Sequence, residues 1–320
     1  MTHLAPGLCL SLLAFGVLSL LLSLALRPLI RRAATGLWTS EALLALRFAP
    51  TAFAALVAGG VLLPAFLRFE PRDSSEEIGW AMLLPAAAAL AMIAAGALRG
   101  ARALVAARRL QRRLAAGALA IDLPGAPAPA FAIDHEFPLV ALVGVFRPRL
   151  FVARRVLEMC TPDEFAAILA HEAGHLERRD NLRQLLVRSC PDLLAFTAAG
   201  ARLEDAWEEA CDRAADDRGA RGGRRDDLAA ALVKVARAVP GPLRTAAIPY
   251  MAFSRSDAVA VRVRRLLDEP SGNGRPFARR GVPLSVAAAA AAAAAGLVSG
   301  WDTALYQVHA VAETVVRLLQ

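Results

Sequence analysis

Three long stretches without a charged side chain set the strongest limit on how this chain can fold. They are residues 8–26, 48–67 and 78–98, each about the 20 residues a helix needs to cross a bilayer. In hydrocarbon every backbone N–H and C=O must be satisfied within the segment, so runs of this length are expected to be helices. Pro50, Gly59, Gly60 and Pro64 in the second run are costly in a water-exposed helix and commoner in membrane spans. The first run could be a secretory leader. No basic stretch precedes it, however, and Arg27, Arg31 and Arg32 follow it in place of a small-residue cleavage site, so it reads as a retained span. A shorter, alanine-rich run at 282–298 reads as a fourth span, followed by a short C-terminal tail at 301–320. Composition agrees: 57% of the 320 residues are hydrophobic and mean hydropathy is +0.44, above the norm for soluble domains.

The flanking charges orient these spans. After the first come Arg27, Arg31 and Arg32 with no acid before Glu41. After the third come Arg99, Arg102, Arg108, Arg109, Arg112 and Arg113 with no acid before Asp122. Cytoplasmic flanks carry the arginine excess, so both segments are expected inside and the acidic turn at 68–77 outside. The resulting layout is three spans in residues 1–98, a cytoplasmic domain over 99–280, and the last span and tail over 281–320. The predicted location is the cell (inner) membrane. The net charge of +8 then reflects topology; no nucleic-acid-reading motif accompanies it, and direct nucleic-acid binding is not expected. The arginine stripe of residues 99–113 is expected on a helix, either along anionic headgroups or as a solvated face. Cys9, Cys160, Cys190 and Cys211 have no paired spacing, which points to a reducing compartment rather than a disulfide framework.

Within the cytoplasmic region, 123–130 is a Pro/Gly/Ala break, and 137–145 and 149–153 read as two short strands around a turn at 146–148. The segment 161–180 then opens a helix with a capping box: Thr161 as N-cap, Pro162 first in the helix and Glu164 at its third position. Its charges exclude a membrane span. It carries His171, Glu172 and His175, a His-Glu-x-x-His set. Residues four apart lie on one helix face, so both imidazoles can grip one ion while Glu172 acts on a water beside it. Gly174 inside this motif costs about 1 kcal/mol relative to alanine, which suggests a close backbone neighbour. The extended motif with a third histidine is absent, because Arg178 and Asn181 stand where it needs Gly and His. Lacking a cysteine tetrad, the site is not a structural zinc site. What remains is two histidines plus a glutamate on a downstream helix, for which the helix at 202–217 offers Glu204, Glu208 and Glu209. His135 reads as a loop histidine, and His3 and His309 fall on the outer side, away from the site.

HEAGHLERRDN followed by WEEACD resembles the membrane zinc metallopeptidases of the BlaR antibiotic-sensor type, and more distantly the HtpX and CAAX prenyl-protease group. The hairpin sequence GVFRPRLFV and the later SDAVAVRVRRLL share in the resemblance, which covers roughly 135–268 and the general layout of spans. It implies a mainly α, polytopic membrane protein with a gluzincin-like metallopeptidase domain containing a short hairpin or small sheet. It further implies zinc as cofactor, held by His171, His175 and Glu208 (Glu209 as fallback), with Glu172 as general base and Asp212 supporting a ligand imidazole. The implied reaction is endoproteolysis of a protein or peptide, such as a cytosolic transcriptional repressor or other regulator. The penicillin-binding sensor domain of that type is not expected here, so antibiotic sensing is not carried over. The competing expectation is a non-catalytic membrane signalling or scaffold protein that keeps the fold. A strand of the hairpin is also a candidate edge for a substrate peptide to extend.

Overall fold

The computed structural model describes residues 4–33, 38–69, 79–239, 256–268 and 301–319. The expected fourth span at 282–298 and His3 lie outside the described residues, as does the turn at 70–78.

The charge-free runs are helical. Helix α1 (Leu4–Ala25) is followed by the short α2 (Arg27–Ala33). Helix α3 (Ser40–Val57) begins at Thr39, whose side chain accepts from the Ala42 N–H. It passes through a π-helical segment, Ala58–Leu62, into α4 (Leu63–Phe69). The widened turn holds Gly59 and Gly60 and lies about two turns after Pro50, whose missing N–H already breaks the hydrogen-bond ladder. Helix α5 (Trp80–Ala115) is continuous, so the third apolar run and the arginine stripe form one rod, about 54 Å long at 1.5 Å per residue. Among the described residues, three segments are long and apolar enough to cross a membrane: Ala5–Ala25, Ser40–Phe69 and Trp80–Ala115. Leu21, Leu56, Leu84 and Leu90 on them are exposed, as lipid-facing side chains would be.

After α5 come four strands, β1 (Leu119–Ile121), β2 (Ala130–Ile133), β3 (Val140–Val143) and β4 (Arg149–Ala153), in the order β1-β2-β4-β3. The β3–β4 pair is the antiparallel hairpin expected from its valines and leucines, with Ala141 opposite Phe151. The other two strands were not expected from the pattern: β1 is three residues long, and β2 follows directly on the Pro/Gly/Ala break. Pairing recruits β2, parallel to β4, with Phe131 stacked on Phe151 at 5.6 Å. The hairpin thus becomes one edge of a small mixed sheet. β4 is covered on both faces, with Leu150, Phe151 and Val152 fully buried, and the cluster they join includes Ile168 and Leu169 of α7.

Helices α6 (Arg154–Met159), α7 (Pro162–Arg178), α8 (Asp180–Ser189), α9 (Ala198–Gly219), α10 (Arg225–Ala238), α11 (Ser256–Asp268) and α12 (Trp301–Leu319) complete the described chain. A helix at α12 was not expected in the C-terminal tail. It lies beside the end of α4, where Tyr306 and His309 meet Phe69 with ring centroids 5.7 and 5.9 Å apart, away from the two histidines of α7. Helix α9 is the central packing element. One side lies along α7, and the other joins Ile30, Leu43 and Leu46 of α2 and α3 through Leu203, Trp207 and Cys211. The helices of the apolar N-terminal region and the HExxH helix therefore share α9.

A buried ionic cluster reinforces that join. Arg47 on α3 is 1% exposed. Its Nη1 donates to both oxygens of Asp192 at 3.0 and 2.7 Å, and its Nε to Glu204 at 3.0 Å. Thr51 donates to the same Asp192, 2.7 Å away. Removing one partner of such a pair strands a charge in the interior, at a cost of about 3–5 kcal/mol.

Candidate metal centre

Helix α7 starts as its sequence dictates. Thr161 Oγ1 accepts from the Glu164 N–H, and the Glu164 carboxylate accepts from the Thr161 N–H at 2.8 Å. Lys234 also donates to Glu164, at 2.7 Å, and together these contacts hold that carboxyl below its ordinary range despite its burial. The cap fixes the register of α7, so His171 and His175 fall on the face turned to α9. The two helices approach closely because Gly174 has no side chain: a Cβ there would lie 3.1 Å from Ala215 Cα. Gly219 serves the same end, since a Cβ on it would meet Ala167 O at 3.0 Å and His171 Cβ at 3.3 Å.

Both imidazoles point their Nε2 atoms at one place, 3.2 Å apart. Asp212 on α9 adds Oδ1 at 3.6 Å from His175 Nε2. His171, His175 and Asp212 each offer a ligand atom, and these atoms all lie within 4.8 Å of one another. This donor set fits a zinc-type ion: two nitrogens on one tetrahedral centre with bonds of 2.0–2.1 Å stand about 3.3 Å apart. The outer nitrogens fit as well. His175 Nδ1 donates to Asp180 Oδ2 over 2.8 Å, and His171 Nδ1 lies 3.0 Å from Asp216 Oδ1. Carboxylates in those positions fix the tautomer that turns each Nε2 lone pair inward.

A further layer orders these carboxylates. Arg262 on α11 donates to Asp216 at 2.5 and 2.8 Å and comes within 3.7 Å of Asp212 Oδ2. Arg178 donates to Asp180 at 2.8 Å and to the Cys211 carbonyl at 2.9 Å. The chain takes a left-handed turn at Arg179, with φ 54°, between α7 and α8. A non-glycine residue there costs roughly 1–2 kcal/mol. The turn returns Asp180 to the His175 ring, five residues back.

Burial shapes the charge states. Desolvation pushes Glu172, 4% exposed, up to about 7, against His175 and a hydrogen bond from the Leu142 N–H, which pull it down. Desolvation likewise takes His171 down to about 4, leaving it neutral. For His175 burial works downward too, but the Asp180 hydrogen bond and the charges of Glu172 and Asp212 outweigh it and raise the imidazole. Asp212 is raised by desolvation. Asp216 is held far below the usual carboxylate range: Arg262 and His171 overcome the cost of its burial.

The structure therefore gathers His171, Glu172, His175 and Asp212. Glu208, expected as third ligand, lies one turn earlier on α9 and is exposed, its Oε1 accepting from Gln184 at 2.8 Å. Glu209 is also exposed, near Arg213, and Glu204 is taken by Arg47. Asp212, expected to support a ligand imidazole, lies near the inward Nε2 of His175, and the carboxylate beside the outer nitrogen of His171 is that of Asp216. His135 stays in its loop, accepting from the Phe137 N–H. Asp180, Asp216 and Arg262 were not singled out from the sequence. The Asp212-x-x-x-Asp216 spacing repeats the i, i+4 logic of the histidines and was a legible signal for Asp216. Nothing local marks Asp180, which needs a helix break, or Arg262, which arrives from a separate helix.

Residues 105–257 match the sequence model of Peptidase family M48. The match runs from the last turns of α5 through α10 and contains every member of the His171–Asp216 cluster. M48 is a metallopeptidase family whose members are generally metal-dependent, in keeping with the donor set above. No curated protein and no solved structure matches the chain.

Proposed function

We propose that this protein is a membrane-integrated, zinc-dependent endopeptidase of the BlaR type. The observation that carries the reading is the convergence of two imidazole Nε2 atoms and the Asp212 carboxylate beside a buried glutamate, within the M48-matched segment. In this reading His171, His175 and Asp212 hold the metal, with Asp212 in the role the resemblance implied for Glu208. A bound zinc ion supplies Lewis acidity, which lowers the pKa of water and polarises a carbonyl. The protein's own groups do the rest. Glu172, which burial lifts to about 7, would in its ionised form take the proton of the attacking water and, then protonated, pass it to the leaving amine. Asp180 and Asp216 keep both histidines oriented, each held at its Nδ1 so that Nε2 is the nitrogen offered to the metal.

A peptide substrate has a natural docking edge. β3 closes one side of the sheet, and the Leu139 carbonyl accepts from the Ala153 N–H, so the alternate residues Val140 and Leu142 turn their backbone groups outward. Asn181 already donates to the Leu142 carbonyl at 3.0 Å and the Gly144 carbonyl at 2.9 Å, which leaves the Val140 end for added-strand pairing. The arginine-rich flanks support a cytoplasmic orientation, and hence a cytosolic or membrane protein substrate such as a regulator. The test is Glu172→Gln. It is expected to bind zinc stoichiometrically while losing peptide-bond cleavage by several orders of magnitude. Full cleavage in that variant would remove the assignment, and a wild-type protein that binds zinc but cleaves nothing would favour a signalling or scaffold role.

A further inference from the structure

Outside the metal centre, the most distinctive chemistry lies in a cleft between α5, the C-terminal end of α8 and the start of α9. It has a volume of 390 Å³ and is lined by Arg47, Arg99, Arg102, Arg188, Ala195 and Glu204 among others. Arg47 is paired with Asp192 and Glu204, and Arg99, Arg102 and Arg188 add further positive charge to the lining. Arg99 is held in place from three sides. Its Nε donates to the Arg188 carbonyl at 3.3 Å, its Nη2 to the Cys190 carbonyl at 2.7 Å, and its guanidinium stacks 4.5 Å from the Phe196 ring centroid. The remaining nitrogen, Nη1, is buried and without a hydrogen-bond partner among the described residues. A fixed guanidinium with an unserved, buried N–H is arranged for an acceptor that the described residues do not supply.

The position of the cleft identifies that acceptor. The second apolar run begins just after Arg47 and the third ends just before Arg99, and the two arginines line the same cleft. The charge boundaries of two separate spans thus coincide in space. Phe196, 60% exposed and stacked on Arg99, is the aromatic expected at such a boundary. This is the level at which bilayer phosphates lie, and arginine chelates phosphate oxygens with two or more N–H groups. The farther arginines of α5 are placed differently. Arg109 is ten residues beyond Arg99 along an unbroken helix, about 15 Å, so the stripe as a whole does not lie at one depth.

We propose that Arg99, Arg102 and Arg188 form a binding site for the phosphate of an anionic phospholipid. The inference rests on the membrane reading given above. The site lies where α8 hands over to α9, the helix that bears Asp212, so an occupying headgroup would brace the metal-site helix against the membrane.

The test uses the full chain carrying Glu172→Gln, reconstituted in phosphatidylcholine nanodiscs with a minor fraction of spin-labelled phosphatidylglycerol. The expected result is motionally restricted lipid that falls at least tenfold in the Arg99→Gln/Arg102→Gln/Arg188→Gln variant and stays within twofold in Arg109→Gln/Arg113→Gln. Zinc stoichiometry of each variant reports its folding. If the triple variant does not fold, Arg102→Gln alone, a change at an exposed residue, is expected to lower the restricted fraction severalfold. Retained lipid in the folded triple variant, no change in the single one, or loss in the Arg109/Arg113 pair instead would overturn the proposal. Displacement by millimolar glycerol phosphate would also overturn it, by marking a free-phosphate site. Alkaline extraction of cell membranes tests the membrane reading separately: protein released into the aqueous fraction defeats that reading, whereas protein retained in the bilayer without restricted lipid defeats only the site.

Discussion

Replacing Asp212 and Glu208 in turn discriminates between the two acids of α9. They sit one turn apart, about 6 Å along the helix axis, and only Asp212 lies with the two Nε2 atoms inside a 4.8 Å group. Groups that merely orient ligands in such sites cost 10–100-fold in metal affinity when removed, about 1.4–2.7 kcal/mol. Asp212 offers a donor atom itself, so Asp212→Asn should exceed the upper end, more than 100-fold. Glu208 engages Gln184 at the surface, and Glu208→Gln should stay within about threefold, given the modest worth of an exposed polar contact. The assay is zinc titration of detergent-solubilised apoprotein against a calibrated chelator, in a Glu172→Gln background that blocks self-cleavage. Zinc loss in Glu208→Gln with retention in Asp212→Asn would refute the geometric argument and restore the assignment implied by family resemblance.

Gly174→Val should weaken zinc binding about tenfold or more and Gly174→Ala far less, because a larger side chain must push the Ala215 backbone and part the histidines from Asp212; equal affinities in the two variants would contradict this. Zinc affinity should fall as pH drops from 8 to 6. His175, raised above its ordinary value, holds a proton more readily and the metal must expel it, whereas His171, near 4, is already neutral. Calorimetry in buffers of different ionisation enthalpy measures that proton release, and buffer-independent heats would contradict it. Burial pushes the Cys160 and Cys190 thiols up to about 11 and Cys211 higher still, leaving only about one thiolate in a thousand at pH 8 for the first two. Alkylation of these cysteines in the native protein should therefore be far slower than after denaturation, as mass spectrometry of timed reactions would show.

The sequence by itself determined the parts that depend on near neighbours. The charge-free runs had to be helices, the Thr161–Glu164 cap had to start α7, and the four-residue spacing had to put His171 and His175 on one face. Runs rich in valine, leucine and phenylalanine, bounded by Pro138 and Pro148, were enough for β3 and β4. Local pattern had less to say wherever a partner arrives from far along the chain. The short β1 and β2 exist because they can pair with the hairpin, not because their sequences demand extension. The third acid is the sharpest case. Several carboxylates follow one another on α9, and family spacing pointed to Glu208. Which of them faces α7 depends on the rotation of α9, set on one side by the Gly174–Ala215 and Gly219–Ala167 approaches and on the other by Leu203 and Trp207 against α2 and α3. That rotation turns Asp212 and Asp216 to the histidines and leaves Glu208 at the surface. Asp180 and Arg262 were likewise decided by tertiary structure, one by a left-handed turn and the other by a separate helix, because a buried imidazole needs an acceptor and a buried carboxylate needs a cation wherever in the chain they come from.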